Sequence, residues 1–231
     1  MARIGRPPKR QSALKSIPRA SRSGAGKPDM RDSIKDVATK LLILHGVNGT
    51  SYGEIAERLK TTTTNIHYHF GNKQALVDEV VADYVIQTQR RHLAIWLDQA
   101  TTLPEKIQRV AAYNYERYRQ FNASDEGHNS WSLIGRLRLE SDVLSNRARN
   151  SLASFTQAIH EGIRVAVDTA WKKGELQKDA PREDLAFLLI NIVNSSSVFT
   201  QGVGGFSRLQ LFFDTFSRAM LFAYAPKAKK S

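Results

Sequence analysis

The run Thr61-Thr62-Thr63-Thr64-Asn65-Ile66-His67-Tyr68-His69-Phe70 sets hydroxyl, amide and imidazole groups side by side with no carboxylate or lysine among them. Such groups donate and accept hydrogen bonds at base edges and phosphate oxygens. They do so without the desolvation cost that a charged residue carries. At 100° per residue Phe70 falls near Ile66, while Thr61, Thr64 and Tyr68 fall on the opposite side with Asn65 and His67 flanking. The chemistry on offer is that of a helix lying in the major groove of DNA. A solvated polar face has the same composition, but a threonine run is a poor helix former, so flanking signals must make it helical.

Those signals are present on both sides. Ser51 with Glu54 predicts a capping box that opens a helix through Leu59. Asn72 can cap a further helix that starts at Lys73 and runs some 25 residues to about Trp96. Upstream, Ile34, Val37, Ala38, Leu41 and Leu42 form one apolar stripe from Met30 to His45, with Gly46 as its stop.

The rest of the chain also reads as helix. Thr102 and Glu105, with Pro104 in the first turn, open a helix to about Phe121. A stretch from Ser124 to Ser141 contains Trp131, Leu133, Ile134 and Leu137. Leu152, Phe155, Ile159, Ile163, Ala166, Val167 and Ala170 mark a long helix from Ser145 to Lys173. Asp179 and Pro181 open the next, which carries Leu185, Leu188, Leu189, Ile192 and Val193. Glycines 202, 204 and 205 break the chain, and Ser207 with Gln210 predicts a capping box for the last helix. No strand pattern and no internal repeat is visible. The expected fold is all-α: a three-helix helix-turn-helix domain at 29–90, then a helical domain at 91–225.

The net charge of +12 is concentrated at the ends. Residues 1–30 hold eight Lys or Arg against Asp29 alone, and Lys227, Lys229 and Lys230 add three more at 226–231. Residues 1–28 hold too few large apolar groups to offset ordering entropy and are expected to be a disordered basic arm with a polyanion as partner. Within it, Gly5-Arg6-Pro7-Pro8-Lys9-Arg10 is similar to the core of an AT-hook, which implies a minor-groove contact for Arg6. The chain has no cysteine, and no apolar run reaches a membrane span. A cytoplasmic location with no membrane partner is expected.

Gly53-Glu54-Ile55-Ala56, then Asn65-Ile66-His67-Tyr68-His69-Phe70, then Lys73-Gln74-Ala75-Leu76 resemble the DNA-binding domain of the TetR family of bacterial transcriptional regulators. The resemblance covers about residues 31–90. It implies an all-helical homodimer, a palindromic double-stranded operator and a small-molecule effector. It places Tyr52, Thr62, Thr63, Thr64, Asn65, His67, Tyr68, His69 and Lys73 at the DNA-contacting positions. The chain departs from the family pattern at Lys60 and Thr64, where glycine is usual, and at His67, where tyrosine is.

Other chemistry finds little footing. His67 and His69 sit two apart on a helix and face apart, a poor metal pair. There is no HExxH, GxSxG or phosphate-binding glycine loop, so no enzyme activity, metal or cofactor is expected. In the second half, Tyr113, Trp131, Arg138, Phe155 and Asn191 are the candidates for lining an effector pocket. Arg136 and Arg138 favour an anion if either faces inward. Leu188, Leu189, Ile192, Phe212, Phe213 and Phe216 present more apolar surface than two helices can hide in one subunit, so they are expected to form a two-fold dimer interface. The reading is a ligand-responsive repressor; the competing one is a constitutive architectural DNA-binding protein without an inducer.

Overall fold

The computed structural model describes residues 29–226, so the basic arm with Arg6 and the lysine tail lie outside the described residues. Every regular element among the described residues is helical: α1 (Met30–His45), α2 (Tyr52–Leu59), α3 (Thr63–Phe70), α4 (Lys73–Trp96), α5 (Leu103–Arg119), α6 (Leu133–Arg138), α7 (Asn146–Lys172), α8 (Arg182–Phe199) and α9 (Gly205–Thr215). None is long and apolar enough to cross a membrane.

The first three helices bury one stripe each. Ile34, Ala38, Leu41 and Leu42 of α1 pack with Ile55 and Ala56 of α2 and with Ile66 and Phe70 of α3. Leu76, Val77, Val80 and Val81 of α4 close this core from below. Burying each Ile, Leu, Val or Phe among them stabilises by ~1.5–3 kcal/mol, far more than the helix propensity the threonines lack. Two ion pairs tie α1 to α4: Arg31 grips both oxygens of Glu79 at 2.6 and 2.5 Å, and Lys35 meets Asp83 at 2.9 Å.

α4 continues past this core. Its second half, ending in Ile95 and Trp96, packs along α7, which in turn packs on α8. One helix therefore belongs to both cores. Buried Lys106 sits under its last turn and donates to the carbonyls of Asp98 and Ile95, a cation placed at a helix C-terminus where the dipole is negative.

Caps follow the sequence in most places. Thr102 and Glu105 form the complete capping box, Asn72 accepts from Ala75 N–H at 2.9 Å, and Ser145 caps α7. Ser51 accepts from Glu54 N–H at 3.2 Å, but the return half of its box is absent: Glu54 pairs instead with Arg58 at 3.0 Å.

Two expectations are corrected. The stretch 124–141 is helical only over Leu133–Arg138, followed by a 3-10 turn at Ser141–Val143. Asn122 and Tyr118 hold the preceding loop: Asn129 N–H donates to Asn122 Oδ1 at 2.9 Å, and the Tyr118 hydroxyl donates to Gly127 O at 2.7 Å. Side chains that satisfy loop backbone groups compete with helix formation. The last helix starts before Ser207, at Gly205, with no side-chain cap. Gly204 has φ +95°, and a Cβ on Gly205 would stand 2.1 Å from Asp125 O. The glycine pair lets that carbonyl approach and accept from Phe206 N–H at 2.8 Å. Beyond Thr215 the helix widens into a π turn, Phe216–Leu221.

Candidate nucleic-acid interface and ligand cavity

The turn into α3 is built by Lys60. It sits in the left-handed region at φ 53°, ψ 44°, where a side chain costs ~1–2 kcal/mol. Thr61 N–H reaches back to Ala56 O at 3.0 Å and Lys60 N–H to Glu57 O at 3.2 Å, the paired bonds that end a helix at a left-handed residue. Lys60 is the one non-glycine residue with positive φ among the described residues. This is the position where the resemblance leads one to expect glycine.

α3 then presents its polar face outward. Thr62 caps it, accepting from Asn65 N–H at 3.2 Å. Thr62, Thr63, Thr64, His67 and Tyr68 are exposed, Tyr68 by 85%. Asn65 and His69 are half-buried, and the Asn65 amide donates to Thr61 Oγ1 at 3.0 Å. Tyr68 and His69 meet edge to face. His67 Nδ1 lies 2.7 Å from Gly71 O. A carbonyl only accepts, so Nδ1 carries the proton and Nε2 of the neutral ring is left as an acceptor. Lys73 is half-buried at the start of α4. Tyr52 is not on this face: its ring packs against His67 with centroids 4.7 Å apart. Its hydroxyl is buried with no protein partner, and burial pushes its pKa up.

The second site is a cavity of about 50 Å³ between α4, α5, α6, α7 and α8. Tyr113, Trp131, Arg138 and Phe155 line it; Asn191 does not. Asn191 lies on the other side of α8, in an open apolar groove, with its amide donating to Phe187 O at 2.7 Å. Asn194, three residues on, takes its place in the cavity. There Asn194 Nδ2 donates to His160 Nε2 at 2.9 Å, and its oxygen lies 3.4 Å from the Arg138 guanidinium. The Trp131 indole N–H is committed to Thr200 Oγ1 at 2.7 Å, so that residue offers only its ring. Arg136 faces away and pairs with Glu140 at 2.7 Å.

His92 and Arg117 also line this cavity, and neither is among the expected residues. The signal for His92 was its register: seven residues after Val85 and four before Trp96, on the buried face of α4. Its ring meets Tyr113 and Phe155 edge to face, and burial lowers its pKa to about 4.

The groove on α8 and α9 is lined by Leu188, Ile192, Phe199, Leu211, Phe212 and Phe216, among others. Leu188 and Phe212 are 39% and 41% exposed, and Phe187 and Leu211 stand further out. Leu189 and Phe213 correct the expectation: both are fully buried within the subunit and belong to its core.

Residues 34–80 match the family model of bacterial regulatory proteins, tetR family. Among curated proteins none matches the sequence. The reduced form of E. coli NemR superposes with a TM-score of 0.66 at 14% identity, covering 87% of this chain and 100% of that one. A TetR transcriptional regulator from Legionella pneumophila gives 0.65 at 20% identity, over 83% and 97%. A transcriptional regulator from Saccharomonospora viridis, solved in complex with choline, gives 0.63 at 17%, over 85% and 98%. The helix-turn-helix segment thus matches the tetR-family model, and the described helices as a whole share the fold of these solved regulators.

Proposed function

We propose that the protein is a ligand-responsive transcriptional repressor that binds a palindromic operator as a homodimer. The observation that carries this reading is the uncharged outer face of α3, where Thr62, Thr63, Thr64, His67 and Tyr68 stand clear of the domain core with free donors and acceptors. Lys73 and the cations of residues 1–28, Arg6 among them, supply phosphate attraction.

The dimer rests on the α8–α9 groove. A monomer would leave Phe187, Leu188, Leu211 and Phe212 in water, and contiguous apolar patches of that kind mark interfaces. A palindromic operator requires the two recognition helices of such a dimer to lie about one DNA turn, ~34 Å, apart. The effector reading rests on the cavity, and the choline bound by the Saccharomonospora viridis regulator supports a ligand-holding role for this helical scaffold. An occupant wedged between α4 and α6 would alter the spacing of the recognition helices.

Selection of bound DNA from a random pool by the full chain tests the reading, with sedimentation in parallel. The expected result is a two-fold symmetric site and a dimer at micromolar concentration. Binding without sequence preference at low salt, or a monomer throughout, overturns it.

A further inference from the structure

The cavity carries two arginines, Arg117 and Arg138, and no Asp or Glu in its lining. Neither arginine takes part in any of the ion pairs among the described residues. Arg117 donates to the Tyr84 hydroxyl at 2.8 Å and lies over that ring. Arg138 donates to Thr156 Oγ1 at 2.8 Å and reaches Asn194 only at 3.4 Å. Neutral oxygens solvate a guanidinium; they do not neutralise it. A half-buried cation without a counter-charge is costly. The cost registers locally: burial draws the Arg138 pKa down, and burial together with the Arg138 charge lowers that of His160. Arginine nevertheless stays protonated at neutral pH.

A second group is unmet in the same cavity. His92 is 6% exposed, and its Nδ1 is buried with no hydrogen-bond partner. The walls between these polar groups are aromatic: Phe155, Tyr113 and Trp131.

We propose that the cavity takes a small organic acid, its carboxylate paired with Arg138 and its apolar part held against Phe155, Tyr113 and Trp131. This rests on the reading of the cavity as the effector site and names the chemistry of the effector. A guanidinium fork matches a carboxylate in geometry as well as in charge. The volume of about 50 Å³ is well below the ~300 Å³ at which drug-sized pockets begin. It therefore holds a carboxylate with a short tail, and a larger acid has to part α4 from α6. An organic cation is repelled by both arginines.

The test is calorimetric titration of the full-length protein with butyrate and benzoate, their amides, and butylamine and benzylamine, at constant ionic strength. The acids are expected to bind about tenfold or more tightly than the amides, and the amines not at all. Arg138→Gln should bring the acids down to the level of the amides, while Arg136→Gln, on the same helix but outside the cavity, keeps the preference. Should Arg138→Gln fail to fold, the order of acid, amide and amine on the unaltered protein decides alone. Amides binding as well as acids, or amines binding better, overturns the acid and leaves the effector cavity standing. No binding of any of the six probes at millimolar concentration overturns both.

Discussion

Glu140 Oε2 accepts the backbone N–H of Val47 at 2.7 Å, tying the end of α6 to the end of α1. The carboxylate is held from the other side by Arg136 at 2.7 Å. Gly46 makes room for it: at φ +72°, a Cβ there would stand 2.0 Å from Glu140 Oε1. The six residues of α6 thus carry Arg138 on the cavity side, and Glu140, two residues past it, grips the DNA-binding domain. That carboxylate is a direct hydrogen-bonded link between the residues just after α6 and the end of α1.

Gly46→Ala should therefore cost more than its backbone strain. Gly71 also has a positive φ, +69°, with nothing within 4 Å of a Cβ, so Gly71→Ala measures a positive-φ penalty without a clash, at ψ −68° against −173° for Gly46. Gly46→Ala should exceed it by ~1–3 kcal/mol, the cost of leaving the Val47 N–H and the carboxylate unpaired. In a Glu140→Ala background the excess should vanish, because the clash is gone. Urea unfolding of the four variants measures this. An excess that persists without Glu140 would place the cause elsewhere.

Recognition and stability should separate on α3. Tyr68 is 85% exposed and Ile66 not at all. Tyr68→Ala should weaken operator binding by ~1–3 kcal/mol, the worth of one good contact, with Tm unchanged. Ile66→Asp buries a charge in the three-helix core and should unfold the domain. Gel-shift titration beside circular dichroism distinguishes the two, and an undiminished affinity in Tyr68→Ala would remove that residue from the interface.

Lys60→Gly should stabilise the protein. The left-handed conformation strains lysine and not glycine, whose extra unfolded-state entropy returns part of the gain, leaving ~0.5–1 kcal/mol. The preferred operator sequence should stay the same, since Lys60 lies in the turn and not on α3. A fall in denaturation midpoint would mean that the lysine side chain contributes contacts that outweigh its strain.

The helices were legible because each carries its own signal: a stripe such as Ile34-Ala38-Leu41, a cap such as Thr102 with Glu105. What escaped were arrangements made by contacts far apart in the chain. The loop before α6 is shaped by Asn122 and Gly127, and α9 begins where Gly205 meets Asp125 O. No local pattern announces either. At the sites, the outer face of α3 follows from periodicity alone, but Tyr52 does not: its inward turn depends on where His67 sits. Asn191 and Asn194 differ by three residues on one helix. Only the packing of α8 decides that Asn194 faces the cavity and Asn191 the groove. Leu189 and Phe213 look like interface residues in the sequence because a core stripe and a dimer stripe have the same composition.

His92 gives the molecule an acid-sensitive core. Burial lowers its pKa to about 4, from 6.5 for a free imidazole. The unfolded chain therefore takes up a proton at a pH where the folded chain does not. Stability from this residue is complete above pH ~6.5, falls as the pH drops through the window from ~6.5 to ~4, and levels off below it. The full loss is about 3 kcal/mol at 1.36 kcal/mol per unit. Asp98 and Glu105, whose carboxyls are held below their ordinary range first by backbone N–H bonds, also lose stability in acid, but at lower pH and equally in any His92 variant. Subtracting the stability curve of His92→Gln from that of the unaltered protein should leave a slope confined to pH 4–6.5, positive with pH. Two curves that run parallel through that window would show that His92 gains its proton in the folded state as readily as in the unfolded one.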